Sequence, residues 1–317
     1  MENWPLKRAI TISGSKTASD SEVADRLKRR GWELGSKVSS VEKALDRVAQ
    51  GDASVIIIED SPNLPLPVAL RAMLKDINGL LTPTISIASR NTAGEKSCFG
   101  TIGQVIVVED PYTPSKFIEN FEFLTHRWGQ DYLAGLNHAG TAYRTNNHQT
   151  CIKILSELMA TDDLNILSVA GPALSLFFRK TNLKTAEKLL LGVLGKAKRN
   201  SGVILSLVDL YLRAGMPGLS YRLLKSANAI YNNPKTLMID QIQTNRMLGL
   251  EHHSVPILKR MIKEKYMDKW ATTALARILY LSGEHEELKQ LLKGSDKELD
   301  KFHRAWSPPK IPKNKAS

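Results

Sequence analysis

The first 128 residues alternate between short apolar segments and segments that carry apolar residues at helical spacing. The apolar segments are rich in β-branched residues, which is typical of strands buried on both faces of a sheet. We predict strands at 9–13, 37–39, 54–59, 84–87 and 104–108. We predict helices at 21–31, 41–49, 68–77 and 115–128, with no convincing helix between the last two strands. Strands that alternate with helices in this way form a parallel sheet with helices on both faces.

The second half of the chain repeats its pattern every 34 residues. Gly215, Gly249 and Gly283 are separated by this step. Three columns of small or apolar residues keep the same step: Ala186, Ser220, Ser254 and Leu288; Leu189, Leu223, Ile257 and Leu291; and Leu190, Leu224, Leu258 and Leu292. A fixed period of this length indicates stacked pairs of helices, in which neighbouring pairs bury one shared core.

One copy of the repeat shows the pattern most clearly. Its first helix carries Leu207 and Tyr211 on one face, and Gly215 and Pro217 interrupt the helix. A second apolar face then follows at Leu219, Leu223, Leu224 and Ala227. The order of an aromatic residue, a glycine, a small residue, a leucine and an alanine resembles the tetratricopeptide repeat, over about residues 148–293. The resemblance implies antiparallel helix pairs with a concave surface for a protein partner.

This copy also departs from the tetratricopeptide pattern. Ile204 holds the family's tryptophan position, Val208 holds its first glycine position, and the late proline is displaced to Pro234. The other copies match the pattern less closely, with Asn245 and Leu279 in the aromatic column. The 34-residue period therefore predicts helix pairs more firmly than it predicts this family.

The first half resembles the receiver domain of bacterial response regulators in the order and size of its predicted elements, over about residues 5–128. The turn Glu109-Asp110-Pro111-Tyr112-Thr113-Pro114 resembles that family's proline-aromatic turn, which implies a cis peptide bond at Pro111. We predict a doubly wound five-stranded α/β domain followed by an all-α domain. The boundaries are a receiver-like domain at 1–128, a connector helix at 129–147, tetratricopeptide-like repeats at 148–295 and a basic flexible tail at 296–317.

A phosphorylated receiver needs clustered carboxylates that hold Mg²⁺, together with a hydroxyl and a lysine that stabilise the phosphoryl oxygens. The resemblance assigns these positions to Ser13 and Gly14 (the acidic pair), Glu59 followed by Asp60 (the acceptor), Ala88 (the hydroxyl) and Asp110 (the lysine). Without the acidic pair, magnesium has too few oxygen ligands, and without the lysine the developing charge is uncompensated. We therefore predict a degenerate receiver that is not phosphorylated, with no catalytic, cofactor or metal site.

Two acidic residues in this pocket leave alternatives open. Asp60 becomes the acceptor if the third strand slips by one residue, although the other ligands are still missing. Glu59 either mimics a permanently phosphorylated state or is a tolerated carboxylate in an inactive pocket, and we favour the second interpretation.

Charge is distributed unevenly along the chain. Residues 1–130 carry 16 basic and 16 acidic side chains, so the net charge of +12 comes entirely from the helical half. Cations recur on the second helices of the repeats: Lys196, Lys198, Arg199, Lys225, Lys259, Arg260, Lys263 and Lys265. Such a face is often merely solvated, but it favours an acidic surface or peptide of a protein partner, or a nucleic acid. Recognition of single-stranded nucleic acid usually uses exposed aromatic residues, which are few in this half, so a protein partner is the favoured expectation.

These patterns lead to three functional hypotheses. The first is a non-catalytic signalling adaptor, with partners from a bacterial two-component pathway, that binds through the receiver-like domain and the repeat surface. The second is a response regulator that is phosphorylated on Asp60, and the third is a nucleic-acid-binding module. No arrangement of residues points to an enzyme. No apolar run is long enough to enter a membrane, and Cys98 and Cys151 lack metal or redox spacing, so we expect a soluble, cytoplasmic protein.

Overall fold

The computed structural model describes residues 6–12, 20–35, 37–61, 64–88, 98–129 and 133–292, with only the backbone of Asp20 and Ser21. Its first half contains a five-stranded sheet in which every strand is parallel and the order is β2-β1-β3-β4-β5. The strands are β1 (Arg8–Ile12), β2 (Glu33–Leu34), β3 (Val55–Glu59), β4 (Thr84–Ala88) and β5 (Val105–Glu109). A long all-helical region follows the sheet, so the predicted fold class is confirmed.

The sheet carries helices on both faces. They are α1 (Asp20–Arg29), α2 (Val41–Ala49), α3 (Leu66–Met73), α4 (Ile77–Leu80) and α5 (Pro114–Gly129). Helix α1 packs against α5, and α2 packs against α3 and α4. The helix predicted at 68–77 is in fact two helices, because Asp76 begins a new one: its Oδ1 accepts hydrogen bonds from the backbone NH groups of Asn78 and Gly79, at 2.7 and 3.3 Å.

The second strand is the clearest error of the sequence-based prediction. The prediction places it at 37–39, whereas the ladder with β1 forms at Glu33–Leu34. Val38 makes only an isolated bridge to Ile12. Buried Trp32, which packs edge-to-face on Phe121 of α5, holds the upstream segment against the sheet.

In the helical region, successive helices pack against each other within each of two compact units. They are α6 (Ala134–Arg144), α7 (His148–Leu158), α8 (Leu164–Phe178), α9 (Leu183–Lys196), α10 (Ser201–Arg213), α11 (Pro217–Tyr231), α12 (Lys235–Met247), α13 (Val255–Lys263), α14 (Asp268–Ser282) and α15 (His285–Leu291). The chain forms two compact units, one through Leu248 and one from Gly249 onward. Helix α6, in the segment predicted as a connector, pairs with α7.

The 34-residue period is confirmed in backbone geometry. Gly215, Gly249 and Gly283 follow α10, α12 and α14, and all three have positive φ angles of 70°, 70° and 77°. Glycine adopts this left-handed conformation without the steric cost that a Cβ brings, which is why it recurs where a helix ends. The second helices begin at the same step, at Leu183, Pro217, Glu251 (a 3₁₀ turn leading into α13) and His285.

Burial follows the same period. The column of Ala186, Ser220, Ser254 and Leu288 is buried in every copy. One predicted core position is wrong, because Leu219 is 37% exposed while Leu224 and Ala227 of the same helix are buried. Residue 219 lies about 100° around the helix from the buried Ser220, which turns its side chain away from the preceding helix.

A single hydrophobic core connects the sheet with the helical region. It contains Ile57 and Ile85 of the sheet as well as Leu136 of α6 and Ile204 of α10. The domain boundaries at 128 and 147 stay predictions, but the packed core runs continuously across them.

Candidate functional site

The predicted phosphoacceptor pocket lies at the carboxyl ends of three neighbouring strands. Glu59 is the last residue of β3 and is buried, and its Oε2 makes no hydrogen bond. Asp60 follows it, and its Oδ1 accepts a hydrogen bond of 2.9 Å from the backbone NH of Leu66. Asp60 therefore joins the end of β3 to the start of α3, a structural role for the carboxylate that the alternative hypothesis makes the acceptor.

The other predicted pocket residues lie on β4 and just after β5. Ala88 ends β4 and is buried, and its carbonyl accepts a 2.9 Å hydrogen bond from the NH of Asp110. Asp110 itself is exposed, and the bond between it and Pro111 is cis, as expected. Ser13 and Gly14 lie outside the described residues. Within the residues that are described, no group of three or more His, Cys, Asp or Glu side chains could hold a metal ion.

A second candidate region is the inner face of the helical pairs, formed by their first helices. In α8, every residue from Ile166 to Ser175 is buried. In α10, ten of 13 residues are buried. The second helices instead bury one stripe each, for example Ser220, Leu224, Ala227 and Tyr231 in α11. Helices that are buried all round are covered on two sides, so α8 and α10 must contact more than their partner helices.

The α/β part of the chain covers these first helices. Helix α4 packs against α6 and α8, and α3 packs against α12. The segment between β4 and β5 adds a third contact: a Cβ on Gly103 would lie 2.4 Å from the carbonyl oxygen of Asn165, in α8. The NH of Gly103 also donates to Ser168 Oγ at 3.2 Å. The inner face, which the repeat resemblance implies as a binding surface, is occupied by the chain itself up to Leu248.

A network of hydrogen bonds joins the segment at 98–103 to the start of α10. The Oγ of Ser201 donates to the carbonyl of Cys98 at 2.5 Å, and the NH of Ser201 donates to Thr101 Oγ1 at 3.0 Å. The side-chain amide of Asn200 donates to the carbonyl of Thr101. Asn200 uses its Oδ1 to accept from Val203 NH at 3.0 Å and so begins the helix. The segment between β4 and β5 therefore has α8 and α10 packed against it.

Ion pairs join α3 to the inner face of the helices. The Nη2 of Arg71, on α3, donates to Oδ1 of Asp240, on α12. Asp240 is 1% exposed, and its second oxygen has no hydrogen-bond partner. Burial raises the pKa of Asp240 to about 6, against the opposing effect of the Arg71 charge.

A second carboxylate on the inner face lies within 4 Å of three cations. Asp209, on α10, lies 3.0 Å from Lys75 Nζ, 2.7 Å from Arg213 Nε and 3.7 Å from Arg179 Nη1. Burial alone would raise the pKa of Asp209, but Lys75 and Arg213 outweigh it and hold the pKa below its ordinary value. The cavity beside this cluster has a volume of about 20 Å³, which is room for a water molecule rather than for an organic ligand.

Reasoning from the sequence missed these inner-face residues. Asp209 and Asp240 stand inside otherwise apolar stretches of their helices, and such isolated acids are the one signal that could have marked them. Arg71 and Lys75, which pair with Asp240 and Asp209, lie more than 100 residues earlier in the chain, so no local pattern connects them to these acids.

The outer faces of the two units carry the predicted cations. In the unit that ends at Leu248, Lys198, Arg199 and Lys225 are exposed, and in the unit from Gly249 onward Lys263 and Lys265 are exposed. Others pair with acids on the surface: Lys196 lies 2.8 Å from Asp162, and Lys259 lies 2.6 Å from Glu287. These pairs are solvent-exposed, so they contribute little to stability, and most of the outer face remains a hydrated basic surface.

Comparisons with family models, with curated proteins and with solved structures found no match to this chain. None of the described helices combines the length and the apolar content that crossing a membrane requires.

Proposed function

We propose that this chain is a non-catalytic adaptor that binds a protein partner through the outer face of its helical pairs. The observation that carries the proposal is that the inner face of α8, α10 and α12 is already filled by α3, α4 and the segment at 98–103. What the helical pairs leave to solvent is a basic outer face. A basic face favours a partner with an acidic surface.

In this proposal the receiver-like part is a structural element rather than a phosphorylated switch. Three of its features support that role. Glu59 is buried, and its Oε2 makes no hydrogen bond. Asp60 accepts a hydrogen bond from the first residue of α3. Asp110 holds the position of a receiver's lysine. On the basis of the resemblance to receivers, we propose that the adaptor works in a bacterial two-component signalling pathway and is controlled by binding or abundance instead of by phosphoryl transfer.

The test of this role is direct. The full chain is incubated with acetyl phosphate and Mg²⁺, and its intact mass is measured. The adaptor proposal predicts no phosphoryl mass gain. A gain that Asp60→Asn or Glu59→Gln abolishes would replace it with the phosphorylation-competent regulator.

The exposed cations of the outer face also favour nucleic-acid binding as a second candidate. Filter binding of labelled single-stranded RNA and duplex DNA separates the two functions. The adaptor proposal predicts no retention near physiological salt. Retention that falls steeply with salt concentration would support the nucleic-acid candidate, because each released counterion contributes to the slope.

A further inference from the structure

Helix α11 carries an apolar stripe that is partly exposed to solvent. Met216, just before the helix, is 43% exposed, and Leu219 and Ile230 are 37% and 38% exposed. The half-buried Leu223, which also packs against the core, lies between them on the same face. These positions are separated by steps of three, four and seven residues, so the four aliphatic side chains form one stripe along the helix.

The other copies of the repeat can be compared with α11 at the positions of Leu219 and Ile230. One step before Leu219 the chain has Thr185, one step after it has His253, and two steps after it has Glu287. One step before Ile230 it has Lys196, and one step after it has Glu264. The repeat therefore folds with polar residues at the positions of Leu219 and Ile230, so the apolar side chains at these two positions are not required by the repeat itself.

The charges around the stripe select the kind of partner. Arg222 and Lys225 of α11 are exposed, and the helix contains no acidic side chain. The preceding second helix, α9, exposes Lys184 and Lys188. Two copies of this face would bring Arg222 near the same cation of the other copy, which is unfavourable. A segment with apolar residues at helical spacing and flanking carboxylates would complement both the stripe and its charges.

We propose that this stripe of α11, with Arg222 at its side, is the docking site for an acidic amphipathic helix of a partner protein. The inference rests on the proposed adaptor function and names its contact surface. The partner helix lays its apolar residues along Met216, Leu219, Leu223 and Ile230 and directs its carboxylates toward Arg222, one turn after Leu219.

The probe is a synthetic amphipathic helix with leucines at a 3.5-residue spacing and glutamates elsewhere, labelled with a fluorophore. A control peptide carries lysine in place of glutamate. The test variant of the full chain combines Leu219→Thr with Ile230→Lys, the residues that the preceding copy holds at these positions. Phe123→Ser is the matched control, because Phe123 is also an exposed apolar residue, on α5 at 57% exposure.

We expect the acidic peptide to bind the wild-type chain and the Phe123→Ser control equally. The double variant should bind roughly tenfold more weakly with its thermal unfolding unchanged. The lysine peptide should not bind. Equal binding to the double variant, or no binding to the wild type, overturns the proposed site. Stripe-dependent binding to phosphatidylserine vesicles without peptide binding overturns it in favour of a membrane surface, and stripe-dependent self-association overturns it in favour of a second copy.

A further experiment distinguishes failure of the proposed α11 site from failure of the proposed adaptor function. Photo-crosslinking in the native cell from position 226, an exposed serine one turn from Leu223 and Ile230, and from position 123 shows whether any protein contacts the chain. A partner that crosslinks equally well to the double variant removes the α11 site and leaves the adaptor function standing. The absence of any protein crosslink removes the adaptor function itself.

Discussion

Arg71 and Asp240 form a buried ion pair across 169 residues of sequence. Arg71 lies on α3, in the α/β part of the chain, and Asp240 lies on α12, in the helical region. Their side chains are 11% and 1% exposed. A charged pair at this depth is costly to desolvate, and loss of either partner leaves an uncompensated charge. The pair therefore specifies how the sheet and the helices meet, in addition to the apolar core that they share.

Asp240 makes stability depend on pH. Its folded-state pKa of about 6 lies above the ordinary value of 3.8, so the folded chain binds the proton more tightly than the unfolded chain between these values. The contribution of this group to stability is therefore fully present below 3.8 and is lost as the pH rises through about 6, on the order of 3 kcal/mol in total.

The Asp240→Asn variant isolates that contribution. Urea unfolding at pH 4.5 and at pH 7 should show a smaller loss of stability with rising pH in the variant than in the wild type. Asp209, which has the opposite shift, is present in both proteins and titrates in both. An identical pH dependence in the two proteins would show that Asp240 is not buried as described.

Gly103→Ala should destabilise the protein through the contact with α8. The new Cβ would lie 2.4 Å from the carbonyl of Asn165 and 2.6 Å from Ser168 Oγ, so backbone must move. We expect a loss of about 1 to 3 kcal/mol in the free energy of unfolding. The control is Gly195→Ala in α9, where nothing lies within 4 Å and alanine favours the helix. Two variants of equal stability would refute the close approach of residue 103 to α8.

Gly215→Ala tests the geometry of the repeat. Its φ angle is +70°, and a Cβ in that conformation costs roughly 1 to 2 kcal/mol. Gly218→Ala, three residues later, is the matched control because φ there is not in the left-handed region and a Cβ meets open space. Thermal or urea unfolding should therefore separate the two variants. A neutral effect at Gly215 would contradict the left-handed turn, and Gly249→Ala and Gly283→Ala should behave like Gly215→Ala.

Local sequence patterns predicted most of the helices and strands but not how they pack together. The apolar run ending at Glu59 is a strand in the structure, and the glycine period marks the turns after α10, α12 and α14. A two-residue edge strand such as Glu33–Leu34 has no period to detect, so it was misplaced. The apolar pattern predicts one helix at 68–77, whereas the structure has two. The second begins because Asp76 caps it, and that role depends on a backbone conformation that the pattern does not reveal.

The covering of the inner face was beyond the reach of sequence reasoning. The tetratricopeptide resemblance implies an open concave surface, and the residues that close it are scattered over Arg71, Thr101, Gly103 and Asp240. Each of these residues is ordinary in its local context. Only their long-range pairing turns the inner face of the helical pairs into an internal contact, which is why the candidate binding surface moves to the outer face.

A double-mutant cycle on Arg71→Met and Asp240→Asn tests most directly whether the α/β sheet occupies the inner face of the helical pairs. The free energy of unfolding is measured for the wild type, for each single variant and for the double variant. The account predicts a coupling energy of about 1 to 3 kcal/mol, because the two side chains are in contact and buried. Additive effects, with a coupling energy near zero, would contradict it.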